Sequence, residues 1–222
     1  MATTTAVPRS TLERWSGLGG ILYVVLFIVG SWLMLHGSPD SSSAPGKIVQ
    51  YYSDSGNRDK IGFGWMLAGV GLFLLIWFVA GLRELVLDLG GSFLAAVVAI
   101  GGAVYTALAL TAIALNMGIQ TMSDDTYQHT VYPELIHAAG DASYIIHATG
   151  GAGAAAMIFA ASAALIRSRR ATWLGWFGLL AGLGALLSVV FLPQILVALW
   201  IVLAGAVLLG WLGRPASGAA TV

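Results

Sequence analysis

Uncharged apolar runs separated by short polar stretches fill most of the 222-residue chain, and their lengths predict its architecture. Between Trp15 and Pro39 the only ionisable residue is His36, which predicts a helix over about residues 17–35. Ile61 to Leu82 carries no charge and predicts a second, stopped by Arg83 and Glu84. The charge-free stretch from Leu89 to Ser123 turns polar at Asn116 and Gln120, so the third helix is placed over about 91–117. A fourth covers about 141–166, with Pro133, a residue suited to a first helical turn, as an earlier possible start. The last charge-free stretch runs from Ala171 to Gly213. At about 1.5 Å per residue it is more than twice as long as a bilayer core is thick, so it must cross twice. Leu192-Pro193-Gln194 divides it, since proline opposes continuation of a helix, giving about 171–192 and 194–213. The fold class expected is therefore all-α, a polytopic membrane bundle of six transmembrane helices. Outer loops span 37–60 and 118–140, a cytoplasmic segment 1–14 precedes the bundle, and a disordered tail 214–222 follows it.

Composition agrees with this pattern. Hydrophobic residues make up 58% and charged residues 9%, against about 25% charged in a soluble domain, so no separate soluble domain fits. Ten basic and ten acidic residues cancel, and no basic run points to nucleic acid. The absence of cysteine excludes disulfides, thiolate metal sites and thiol catalysis. Arg9 and Arg14 precede the first apolar segment as in a signal peptide, but the segment is too long and lacks an Ala-x-Ala site, so an uncleaved helix is expected. Placing both termini inside puts Arg9, Arg14, Arg83, Arg167, Arg169, Arg170 and Arg214 in the cytoplasm, against Lys47, Arg58 and Lys60 outside. Trp15, Trp173 and Trp211 then fall near inner boundaries and Trp32 and Trp65 near outer ones. The 29 glycines, as in Gly17-Leu-Gly-Gly20 and Gly150-Gly-Ala-Gly153, read as close helix contacts rather than phosphate loops.

In this topology the polar inventory is one-sided. All four histidines, His36, His129, His137 and His147, lie on or near the outer side with Asn116, Gln120, Asp124, Asp125, Glu134 and Asp141. The cytoplasmic half offers no stepping stones for an ion path, which argues against a channel or transporter. Glu134, His137, Asp141 and Tyr144 fall within about 80° on a helical wheel, with His147 beside them. Three chemistries fit this stripe. Glu134, His137 and Asp141 could ligate zinc, iron or manganese, with His147 or His36 completing the shell, although only one Glu-x-x-His motif is present. Alternatively, Glu134 and Asp141 simply tie His137 on a polar helix start. Thirdly, Glu134 or Asp141, desolvated and protonated, could deliver a proton to an alkene or epoxide while Tyr144, Tyr105 and Trp32 face a carbocation. Asp141 with His147 is the pair singled out for acid-base behaviour. In loop 37–60, Ser43 is placed as the cap of a short helix and Asp54-Ser-Gly56-Asn57 as a turn; Ile48, Val49, Tyr51 and Tyr52 suit a lid on the outer surface.

Thr172-Trp173-Leu-Gly175-Trp176-Phe-Gly178-Leu-Leu, then Leu192-Pro193 and Leu199-Trp200-Ile-Val, resembles the closing hairpin of a group of uncharacterised actinobacterial multi-pass membrane proteins. Ile48-Val-Gln-Tyr-Tyr52-Ser-Asp with Arg58, and Leu82-Arg83-Glu84-Leu, resemble the same group. The resemblance implies topology and type of source, and carries over no functional residues. To small membrane terpene cyclases the likeness is one of general chemical plan, without a motif matched residue by residue.

The sequence thus points to a multi-pass protein of the cytoplasmic membrane with an outer-facing polar pocket: an accessory, binding or sensing protein. The alternative is a membrane-embedded enzyme using acid-base chemistry on a prenyl or other lipid-soluble substrate. Candidate site residues are Glu134, His137, Asp141, Tyr144 and His147. No cofactor is expected. The partners expected are membrane lipids, a lipid-soluble small molecule or another membrane protein.

Overall fold

The structure is a computed structural model that describes residues 11–40, 43–121, 130–188 and 191–211. Arg9, Asp124, Asp125, His129, Arg214 and the tail lie outside the described residues. Those described are all-helical: α1 (Thr11–Leu35), α2 (Pro45–Ser53), α3 (Ser55–Asp88), α4 (Ser92–Gln120), α5 (Pro133–Arg167), α6 (Thr172–Leu186) and α7 (Phe191–Trp211). Within α1 the stretch Trp15–Leu35, together with α3, α4 and α5, is long and apolar enough to cross a membrane; α6 and the Gln194–Gly210 part of α7 are apolar but shorter.

The helices form a closed ring. Each of α3, α4, α5, α6 and α7 packs on the next, and α7 returns to α1, which packs on α3. Small residues set this spacing. A Cβ placed on Gly30 would lie 2.5 Å from the Gly64 carbonyl, and the same reciprocal approach joins Gly17 to Gly205 across α1 and α7. Gly101 and Gly153 do so across α4 and α5. Many large side chains instead turn outwards, among them Ile28, Trp32, Phe73, Phe93, Ile100 and Trp176. Small residues inside and large apolar ones outside are what helix association in an apolar solvent demands.

Several boundaries differ from those expected, each for a local reason. The Asp54 carboxylate accepts from the Asn57 N–H (2.9 Å), so the predicted turn at residues 54–57 is instead the capped start of α3, well before Ile61. Pro45, not a capping Ser43, opens α2, while Ser43 Oγ donates to Asp40. Likewise α5 runs unbroken from Pro133, with Glu134 in its first turn, rather than from Asp141. The break in the last apolar stretch precedes Pro193 instead of lying at it. A third-position proline removes an N–H that has no helical partner, so α7 starts at Phe191 and Gln194 Nε2 donates back to the Ser188 carbonyl (3.0 Å).

The end of the ring beside α2 differs from the end carrying Arg83, Arg167, Arg169 and Arg170. At the arginine end, Arg83 pairs with its neighbour Glu84. At the α2 end the short helix lies across α3 and α5, with Ile48 and Tyr52 buried in the same core as Ile61 and Ile136. Arg58 Nη1 donates to the carbonyls of Tyr52 (3.0 Å) and Ser53 (2.8 Å), and Asn57 Nδ2 to that of Tyr51 (3.0 Å). Lys60 Nζ donates to the His36 carbonyl (2.7 Å) while lying over the Tyr51 ring. These bonds use up backbone carbonyls left open at the ends of α1 and α2. Gly37, at φ 79°, supplies the left-handed turn between them.

Burial, and next the charge of a neighbouring Tyr51, push the Tyr52 phenol up to about 12. The raised value means that this contribution to α2 docking is complete below the ordinary phenol value of 10.0 and is lost as pH rises through about 12. Subtilisin cleavage within residues 36–60 should therefore accelerate across that window. Tyr52→Phe should abolish the pH-dependent step; an identical alkaline profile in the variant would remove Tyr52 as its cause.

Candidate functional site

The polar stripe lies on α5, and the length of α6 decides what covers it. Ser188 Oγ, just past the end of α6, donates to the Ala148 carbonyl (2.8 Å), fixing where α6 stops along α5. Beyond that level α5 continues to Pro133, a further 22 Å or so at about 1.5 Å per residue. The flank that packs α6 carries Ala148, Gly151 and Ala155, all buried. Continued upwards, the same flank carries Tyr144, His137, Asp141 and Glu134.

With α6 gone, these residues are uncovered. Glu134 and Asp141 are exposed, Tyr144 is 41% exposed and His137 is half-buried. Among the described residues Glu134, His137 and Asp141 make no hydrogen bond or ion pair, so the expected pairing of His137 with its two acids is not made. Among the described residues, no three His, Asp or Glu side chains gather into a metal shell. His36 belongs to the α2 attachment, with its ring stacked on Trp32 (centroids 4.5 Å) and its carbonyl taken by Lys60.

His147 parts from the stripe and turns into the ring. Its imidazole stacks on Phe27 of α1 (centroids 5.8 Å, planes 15° apart) and meets Tyr105 of α4 at 6.0 Å. The Tyr105 hydroxyl in turn shares a 2.8 Å hydrogen bond with that of Tyr23, and the Tyr23 ring lies 5.5 Å from Phe27. Four side chains from three helices thus meet inside the bundle. Asp141 is not one of them. Six residues from His147, it points about 120° away on the helix, so the acid-base pair singled out from sequence is not brought together.

One turn from His147 towards the α2 end, Ser143 Oγ accepts from Asn116 Nδ2 (3.2 Å). One further turn along α4 stands Gln120, 7% exposed, whose Oε1 is buried without a partner among the described residues. Tyr105 and Asn116, too distant along α4 to meet directly, are therefore linked through α5 by His147 and Ser143. The result is a column of uncharged polar groups: Tyr23, Tyr105, His147, Ser143, Asn116 and Gln120. Hydroxyls, imidazoles and amides of this kind position and exchange hydrogen bonds, and an imidazole can also carry a proton. The aromatic set imagined around a cation does not converge, because Tyr105 is buried while Tyr144 and Trp32 (56%) are exposed.

Sequence reasoning missed Tyr23. Its signal was a phenol hydroxyl in an apolar run, four residues before Phe27 and so on the same helix face. No protein-family model, no curated protein and no solved structure matches this chain.

Proposed function

We propose that this chain is an accessory, binding or sensing protein of the cytoplasmic membrane, crossing it six times with both termini inside and using a site in its outer half. The observation that carries this reading is the uncovered flank of α5 beside the inward-turned His147, where α6 stops and solvent-accessible polar groups meet a polar interior. The arginine bias supports the orientation, since Arg83, Arg167, Arg169 and Arg170 share one end. At about 22 Å, α6 is short for a roughly 30 Å core, a mismatch that local thinning or flanking turns accommodate.

The cysteine-free sequence makes the test direct. Single Glu134→Cys and Asp141→Cys proteins in intact cells should react with a membrane-impermeant maleimide added outside. Arg167→Cys should react only after permeabilisation. The reverse pattern would overturn the topology, and protection of all three in both conditions would overturn the exposed site.

One observation favours a second reading, acid-base chemistry on a lipid-soluble substrate. The interior column contains an imidazole next to a hydrogen-bonded phenol pair. On that reading His147, rather than Glu134 or Asp141, handles the proton. His147→Ala would then abolish turnover while Asp141→Asn left it intact; a partner-binding surface would show graded losses for the stripe substitutions instead.

A further inference from the structure

We propose that the polar column between His147 and Gln120 binds the head of an uncharged, hydroxyl-bearing lipid that enters sideways beside α5, over the end of α6. This rests on the six-span reading above, which puts the opening in the outer leaflet.

At the end of the ring α2 lies across α3 and α5, with its Ile48 and Tyr52 only 1% and 3% exposed. The side is different. Where α6 ends, its last turn leaves Leu187 exposed, and above it stands the exposed ring of Tyr144. His147, one turn from Tyr144 on the same helix and only half-buried, is the first inward group beyond this rim. Behind it the Tyr105–Tyr23 pair lies on one side, and Ser143 and Asn116 lead to Gln120 on the other. An apolar rim at leaflet depth with hydrogen-bonding groups behind it suits an amphiphile, whose tail stays in lipid.

The column also states which head fits. None of its six members carries a fixed charge, and Glu134 and Asp141 face away from it, so neither a carboxylate nor a phosphate finds a counter-charge there. What Gln120 Oε1 lacks is a donor. Gln120 Oε1 is an acceptor in a residue more than nine-tenths buried, with no partner among the described residues, an arrangement that costs stability until a donor arrives. A hydroxyl supplies that donor and can accept in return from imidazole or amide. A carbonyl or ether oxygen cannot donate, so neither satisfies Gln120 Oε1.

The probe is a monoacylglycerol bearing a diazirine in its acyl chain, irradiated with the full-length protein in nanodiscs; the fatty acid and the phosphatidylcholine carrying the same chain serve as comparisons. Labelling by the monoacylglycerol should concentrate on residues 92–120 and 133–167 and should be competed by unlabelled monoacylglycerol. Gln120→Leu and His147→Phe should each reduce it about fivefold, the worth of one net hydrogen bond. In addition, Gln120→Leu should raise the melting temperature of the lipid-free protein, because it removes the orphaned acceptor, a gain that a merely structural glutamine would not give. Equal labelling by all three lipids, or labelling unchanged in both variants, would overturn the proposal, as would a lower melting temperature for Gln120→Leu. If Asp141→Cys is reached from outside and labelling is unspecific, only the lipid proposal falls; if Asp141→Cys is never reached, the six-span reading falls with it.

Discussion

Gly153→Val should unfold the bundle or cripple its recovery, whereas Gly69→Val, made as a matched control, should leave it intact. At Gly153 a Cβ would sit 2.7 Å from the Gly101 carbonyl oxygen and 2.8 Å from the Tyr105 amide nitrogen. Both are backbone atoms of α4, so no rotamer change on the facing helix relieves the contact. Overpacking a core that can still adjust costs about 1–3 kcal/mol, and a clash with backbone lies at or above the top of that range. Gly69, in the interior of α3, has nothing within 4 Å of its would-be Cβ, and valine there meets only the surroundings of the bundle. The reciprocal Gly101→Val should be as damaging, since its Cβ would stand 2.6 Å from the Gly153 carbonyl. Thermal unfolding in a mild detergent reads the outcome directly. If Gly153→Val melts with the wild type, the close approach of α4 and α5 is not what holds this seam.

That contact also places the site. Tyr105 stands on α4 opposite Gly150 and Gly153, and His147 lies one turn further along α5, so the spacing of the two helices sets the distance between phenol and imidazole. The sequence marked Gly150 to Gly153 as a helix contact because small residues in an apolar run have few other uses. Its apolar runs also mark each long helix, and its embedded polar residues gather towards one end. Other features were not legible, for identifiable reasons. A helical wheel tells which residues share a face, but not which neighbour covers that face. That Glu134, His137, Asp141 and Tyr144 lie bare follows from α6 stopping opposite Ala148, which is a property of a different segment. The separation of Asp141 from His147 was available from their spacing alone, since six residues at about 100° each cannot put two side chains on one line. Tyr23 was hidden for the opposite reason: a tyrosine among leucines and valines reads as core until a second hydroxyl is seen to reach it. Boundary errors came from treating charge as the end of a helix. Asp54, Arg58 and Lys60 are instead the cap and the first turns of α3, with the two bases tied to carbonyls of α2 and α1.

The phenol pair itself makes a sharp test of how the interior is held together. Tyr23→Phe and Tyr105→Phe should each destabilise the protein by about 1–3 kcal/mol, yet the double variant should lose less than the sum. Both phenols are buried, at 3% and 7% exposure, and their oxygens are 2.8 Å apart. Removing one hydroxyl leaves the other buried without its partner, which is costlier than the bond's own net worth. Removing both leaves two phenyl rings of unchanged outline packed beside Phe27 and His147, and the unpaired group is gone. The coupling energy should accordingly favour the intact pair by about 1 kcal/mol, measured as the non-additive part of a cycle of four melting or denaturant curves. Strict additivity across the cycle would mean that the two hydroxyls do not bond to each other, and the column running from Tyr23 to Gln120 would then lose the link that joins α1 to it.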